Sequence, residues 1–161
     1  MSMITIKCQT GDDVTVDADS LEGVDLSGAN LHRALLDNLS LRGAKLRGAE
    51  LRSAWMERAD FSGCDLSRAL LFSCVAPAAM FAGANLREAV LATGLFDGAS
   101  FSGADLSGAR VGQASFKGAT LDGADLRCDG LERAVLTGAH ADGSTRWPEG
   151  FDPAAHGVVM R

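Results

Sequence analysis

No apolar run in these 161 residues approaches the length of a membrane span, and no charged leader followed by an apolar stretch opens the chain. Insertion into a bilayer and export are therefore not expected, and a cytoplasmic protein is. Cysteine is sparse: Cys8, Cys64, Cys74 and Cys128, with no CxxC and no paired-histidine spacing, make neither a disulfide framework nor a metal site. A reducing cytoplasm is the simplest setting. Histidine is scarcer still. His32, His140 and His156 lie far apart, and no motif gives any of them a Ser, Cys or carboxylate partner, so no catalytic residue is assigned and an enzyme is not expected. The glycines do not follow the strand-to-helix context of a phosphate loop, so no cofactor or small-molecule substrate is expected. A net charge of −6 and a pI near 4.9 exclude generic nucleic-acid binding.

What the sequence does have is a period of five, running from residue 19 to residue 143. Leu21, Leu26, Leu31, Leu36, Leu41, Leu46 and Leu51 begin a series that continues through Phe61, Leu66, Leu71, Phe81, Leu86, Leu91, Phe96 and Phe101 to Leu136. Two residues before the centre stands a small residue nearly every time, as in Ala34, Ala44, Ala54, Ala69, Ala84 and Ala104. A helix buries positions at a spacing of 3.6 and a strand at two, so a strict five fits neither. It fits a short extended segment followed by a corner, with the centre and the small residue inside and the other three outside. Four corners close a square, and self-similarity of this kind marks a repeat architecture.

The pattern A-[DN]-L-x-x, present as Ala29-Asn30-Leu31, Ala84-Asn85-Leu86, Ala104-Asp105-Leu106 and Ala124-Asp125-Leu126, resembles the pentapeptide repeat family. The resemblance implies an all-β fold: a right-handed quadrilateral parallel β-helix of about six 20-residue coils. It also implies one specific activity, because the quinolone-resistance and antibiotic-immunity members bind type II topoisomerases such as DNA gyrase as acidic mimics of duplex DNA.

Reading every twentieth residue tests the square. Leu26, Leu46, Leu66, Leu86, Leu106 and Leu126 form one column, and Leu21, Leu41, Phe61, Phe81, Phe101 and Leu121 a second. Gly23, Gly43, Gly63, Gly83, Gly103, Gly123 and Gly143 form a third, which predicts a turn with positive φ at one stacked corner. Cys64 and Cys74 fall at the small inward position, Cys128 at an outward corner and Asp129 at an inward one. The buried carboxylate of Asp129 requires either a bulge or backbone N–H partners.

Three segments follow. Residues 1–18 alternate (Ile4, Ile6, Cys8, then Val14 and Val16 beyond a glycine-containing turn) and read as a β-hairpin cap over the open first coil. Residues 19–143 are the solenoid. Residues 144–161, with Trp147 and Phe151 among prolines, form an irregular C-terminal cap.

Function then rests on the outward positions. One column, Asp25, Lys45, Asp65, Asn85, Asp105, Asp125, supplies an acidic ladder of Asp25, Asp65, Asp105 and Asp125. Arg47, Arg87, Arg127, Arg68 and Lys45 balance its face, which makes it a poor copy of duplex DNA at about one charge per 1.7 Å. Another face is apolar outside: Leu35, Trp55, Val75, Leu95 and Val135, with Leu70, Phe72 and Val90 on the adjoining one. A stripe of this kind marks an interface unless the tail, residues 154–161, covers it. The expectation is a non-enzymatic protein–protein interaction or scaffold protein, a homodimer through this face or through its C-terminal end, with topoisomerase modulation as the alternative.

Overall fold

The computed structural model describes residues 2–161. Its unit is a β-turn. In Leu41-Arg42-Gly43-Ala44 the Ala44 N–H donates to the Leu41 carbonyl at 2.9 Å, with Gly43 at φ 67°. The same turn recurs every five residues from Gly23 to Gly123, and its third residue lies in the left-handed region each time, with φ from 55° to 72°. The glycine column is thus one corner of four. The other corners hold Arg33, Asn38, Ser53, Arg58, Arg68, Ser73, Ala78, Glu88, Thr93 and Gln113 in the same conformation, at roughly 1 kcal/mol or more of local strain for a residue with a Cβ. Gly143, the last of the predicted column, does not have positive φ, because the repeat has already broken there.

Between corners each side of the square is a single extended residue paired with the coils above and below. Asp25 bridges Lys45, Lys45 bridges Asp65, and the ladder continues through Asn85, Asp105 and Asp125 at intervals of twenty. Lys45 N–H donates back to Val24 C=O at 2.9 Å, and Leu46 N–H donates forward to Asp65 C=O at 2.7 Å. Such bonds hold each residue of the square to its stacked neighbour, which is why the period survives without long strands.

Inside, the centres are buried from Leu21 to Ala141. Phe61, Phe81 and Phe101 stack at 5.3 and 4.9 Å, Phe96 stacks on Phe116 at 5.5 Å, and the two columns meet edge to face. Gly94, at a small position, makes room for Phe96: a Cβ there would lie 2.6 Å from Phe96 Cε2. The small positions are buried through most of the rod but not at its ends. Val24, Ala29 and Ala134 are half-buried and Leu39 is exposed, since no further coil stacks over them.

β1 (Met3–Ile6) pairs antiparallel with β2 (Val14–Asp17), the expected hairpin. The chain after β1 continues onto the first coil: Cys8 bridges Ala34 antiparallel, and Leu35 N–H donates to Lys7 C=O at 2.7 Å. Ile6 and Cys8 are buried there. At the other end Trp147, Phe151 and His156 stack in succession against the last coil. β4 (Val159–Met160) then adds in parallel to β3 (His140–Ala141), carrying the tail along the Ser40, Met80, His140 face. Residues 154–161 therefore do not cover the apolar face.

The repeat is less uniform than its letters. Arg110 bridges Asp129 at an interval of nineteen and Asp125 bridges Arg146 at twenty-one, around regular bridges at Val135 and His140. A turn is shortened at Leu126–Cys128, where Cys128 N–H donates to Leu126 C=O at 2.8 Å, and the missing residue returns at Gly130 and the 3-10 turn Leu131–Arg133. This shift corrects two sequence assignments. Cys128 points inward and is buried, and Asp129 occupies the outward bridging position with its side chain exposed. The bulge resolves the carboxylate problem by taking Asp129 out of the core.

Candidate interaction surface

Four walls face solvent, and their outward side chains differ in chemistry. On the wall carrying the acidic ladder, each carboxylate closes the corner that follows it. Asp65 accepts from Ser67 N–H at 3.1 Å and Ser67 Oγ at 2.6 Å, and Asp105 accepts from Ser107 in the same way at 2.9 and 2.6 Å. Asp125 accepts from Arg127 through the backbone N–H and both Nε and Nη2. Asn85 accepts from Arg87 N–H at 3.1 Å without a charge, so an amide oxygen serves this corner as a carboxylate does. Hydrogen bonds from Ser27 hold the Asp25 carboxyl below the usual carboxylate range, and those from Arg127 do the same at Asp125. The bridges confirm Asp25, Asp65, Asp105 and Asp125 as one column, broken by Lys45 and closed by Arg146. Arg87 lies 3.5 Å from Asp105 and Arg68 lies 2.7 Å from Glu88, so cations interleave with the acids.

The apolar wall is different. Leu35, Trp55, Val75, Leu95, Ser115 and Val135 bridge in that order as one ladder. Leu35, Trp55, Leu95 and Val135 are between 40% and 47% exposed, and Val75 is half-buried between its neighbours. Exposure of this extent on adjacent coils is continuous surface, not isolated residues. Leu70 and Val90 bridge each other on the adjoining wall, where both are half-buried. Phe72 sits at the corner between the two walls under the Arg52 guanidinium, 5.3 Å from its ring centroid. The structure thus brings Leu35, Trp55, Val75 and Leu95 into one row and sets Leu70, Phe72 and Val90 at its side.

Two features of this surface escape sequence reasoning. Trp55 Nε1–H donates to Gln9 Oε1 at 3.2 Å, tying the segment that connects β1 to β2 to the second coil of the apolar wall. Nothing in a period of five announces a contact to a residue outside it. Met80 is exposed on the wall beyond, and its place one position before a centre could have flagged it.

Among the described residues no group of three metal-binding side chains forms, and no helix is long and apolar enough to cross a membrane. A cavity of about 390 Å³ opens beside the register shift, lined by Ala92, Arg110, Gly112, Gln113, Asp129 and Arg133, without a nucleophile and base in contact. All four thiols are free and buried; burial pushes Cys64 up to about 11 and Cys128 up to about 12, which keeps both protonated.

A family model described as pentapeptide repeats matches eight copies over residues 25–63 and 95–127. Among solved structures, the pentapeptide repeat protein alr5209 from Nostoc PCC 7120 is 31% identical, over 76% of this chain and 84% of that one, with a TM-score of 0.42. HetL, a pentapeptide repeat protein involved in heterocyst differentiation regulation from Nostoc sp. strain PCC 7120, is 26% identical over 85% of this chain and 64% of its own, with a TM-score of 0.36. QnrB1, a plasmid-mediated fluoroquinolone resistance protein, is 20% identical over 86% and 78%, with a TM-score of 0.42. No curated protein matches significantly. The turn at every fifth residue, the bridges at every twentieth and the matched repeats together make this chain a member of the pentapeptide repeat family, a right-handed quadrilateral β-helix.

Proposed function

We propose that the protein is a non-enzymatic interaction scaffold whose contact surface is the wall of Leu35, Trp55, Val75 and Leu95, with Leu70, Phe72 and Val90 at its margin, and that it self-associates there. The observation that carries the reading is the uninterrupted row of outward apolar side chains on four successive coils, exposed at Leu35, Trp55 and Leu95 and half-buried at Val75. The repeat accepts any residue at that outward position, and each large side chain left in water forgoes roughly 1.5–3 kcal/mol of burial. The tail's place on a different wall leaves the row open. Four buried free thiols fit a reducing cytoplasm as its location.

Replacing both Phe72 and Leu95 with Asp tests this. The circular dichroism spectrum should be unchanged, and the mass by light scattering should fall from dimer to monomer. Unchanged association in the double variant would refute the proposed surface. Modulation of a type II topoisomerase is the competing reading, through the column of Asp25, Asp65, Asp105 and Asp125. Lys45, Arg87 and Arg146 interrupt that column's field, so the supercoiling activity of DNA gyrase, with and without a fluoroquinolone, should not respond to the protein.

A further inference from the structure

We infer that the occupant of the apolar wall is a second copy of the chain, packed face to face and antiparallel about a two-fold axis that passes between the levels of Val75 and Leu95. The inference rests on that wall being the contact surface and adds the partner and its register. The bridged order Leu35, Trp55, Val75, Leu95, Ser115, Val135 gives one outward residue per level. A two-fold axis lying in the interface and perpendicular to the rod reverses that order on the partner. Leu35 then meets Val135, Trp55 meets Ser115, and Val75 meets Leu95. The bulkiest side chain of the row faces the smallest, and the remaining pairs are aliphatic. A parallel pairing would set Trp55 on Trp55 and Ser115 on Ser115, a collision at one level and a void at another.

The charges at the margin choose among antiparallel registers. The corner along one edge carries Asp37, Glu57, Pro77, Asp97, Lys117 and Thr137, one per level. With the axis between Val75 and Leu95, Glu57 faces Lys117 twice by symmetry, Asp37 faces Thr137 and Pro77 faces Asp97. Centring the axis on Leu95 sets Asp97 against Asp97, and centring it on Val75 sets Glu57 against Asp97. Like charges opposed in this way select against both. Lys117 forms no ion pair among the described residues, while Glu57 holds only the neighbouring Arg58 at 3.5 Å. On the other edge Ser53 faces Gln113, Ser73 faces Thr93, and Arg33 faces Arg133, whose charge is offset by Glu132 of its own chain at 2.9 Å. Five steps of about 4.8 Å make the strip about 24 Å long.

Sedimentation equilibrium of the full chain over a wide concentration range tests the register. Glu57→Lys and Lys117→Glu should each weaken dimerisation by about tenfold, since one change reverses two symmetric contacts, and the double variant should restore it. Raising the salt should shrink the difference. Both residues are exposed corner positions, and circular dichroism should show each variant folded. If Leu95→Asp dissociates the dimer while the charge reversals change nothing, the register is overturned and the wall stands as the contact surface. A wild-type chain that stays monomeric at millimolar concentration overturns the second copy as the occupant. A dimer indifferent to both Leu95→Asp and the reversals overturns the surface itself.

Discussion

Glycine does three different jobs here, and substitution separates them. Gly63 needs only its left-handed φ of 67°, with open space where a Cβ would stand, so Gly63→Ala should cost about 1 kcal/mol. Gly94 has no such φ but touches Phe96, and Gly94→Ala should cost about 1–3 kcal/mol through overpacking. Gly130 combines both: at φ 86°, its Cβ would lie 2.8 Å from the backbone N of Gly112, and backbone cannot step aside. Gly130→Ala should be the most damaging of the three. The converse change, Ala78→Gly, should relieve left-handed strain at φ 58° and stabilise the rod by up to about 1 kcal/mol despite adding a glycine. Thermal or urea unfolding of the four variants checks the order.

The thiols give a second prediction at the same scale. Burial raises Cys64 to about 11 and Cys128 to about 12, above the value of about 8.5–9 expected in the unfolded chain. Folding keeps these thiols neutral, so their contribution is full below pH 9 and declines as pH rises from about 9 towards 11 and beyond. Native protein at pH 8 should leave Cys64, Cys74 and Cys128 unmodified by a thiol reagent, and denaturant should expose all of them. Rapid labelling of the folded chain would contradict the inward placement of Cys128.

At the scale of the element, an acceptor one residue before the centre supports the corner where one is present. Asp125→Asn should keep the bond to Arg127 N–H, as Asn85 does with Arg87, whereas Asp125→Ala should lose about 1 kcal/mol. The depressed carboxyls of Asp25 and Asp125 set the sign with pH. Their folded values lie below the unfolded ones, so the stabilisation is present above about pH 4 and is lost as pH falls through the folded values. An acid titration of wild type and Asp125→Ala should converge as pH falls through the lowered folded value of Asp125.

The same element shows how far the letters reach. Leu26 to Leu126 in steps of twenty predicted the coil because identical side chains stack only when the register is constant, and the bridges repeat at that interval. The shift at Cys128 was hidden by compensation. The turn loses one residue after Leu126 and regains it by Leu131, so the count of five is preserved on both sides while Cys128 and Asp129 exchange inside for outside. A periodic reading counts residues and cannot see two errors that cancel. On the surface, the apolar row was legible because a period of five assigns each side chain to a wall. The Trp55 to Gln9 bond was not, since the hairpin's docking angle lies outside the repeat.

The whole molecule is a rod with two covered ends and four unequal walls, and its association mode follows from which of these is sticky. The hairpin covers one end, and β4 adds a short edge at the other with Val159 and Met160 exposed. An end-to-end dimer would use that edge, and a face-to-face dimer the apolar wall. Six coils at about 4.8 Å make a rod of about 30 Å, so the end-to-end mode doubles its length and the face-to-face mode its width. Small-angle X-ray scattering, with mass taken from the forward intensity, separates them directly. The apolar-wall account predicts a doubled mass that reverts to the monomer value in Leu95→Asp. A doubled mass unchanged by Leu95→Asp would contradict it.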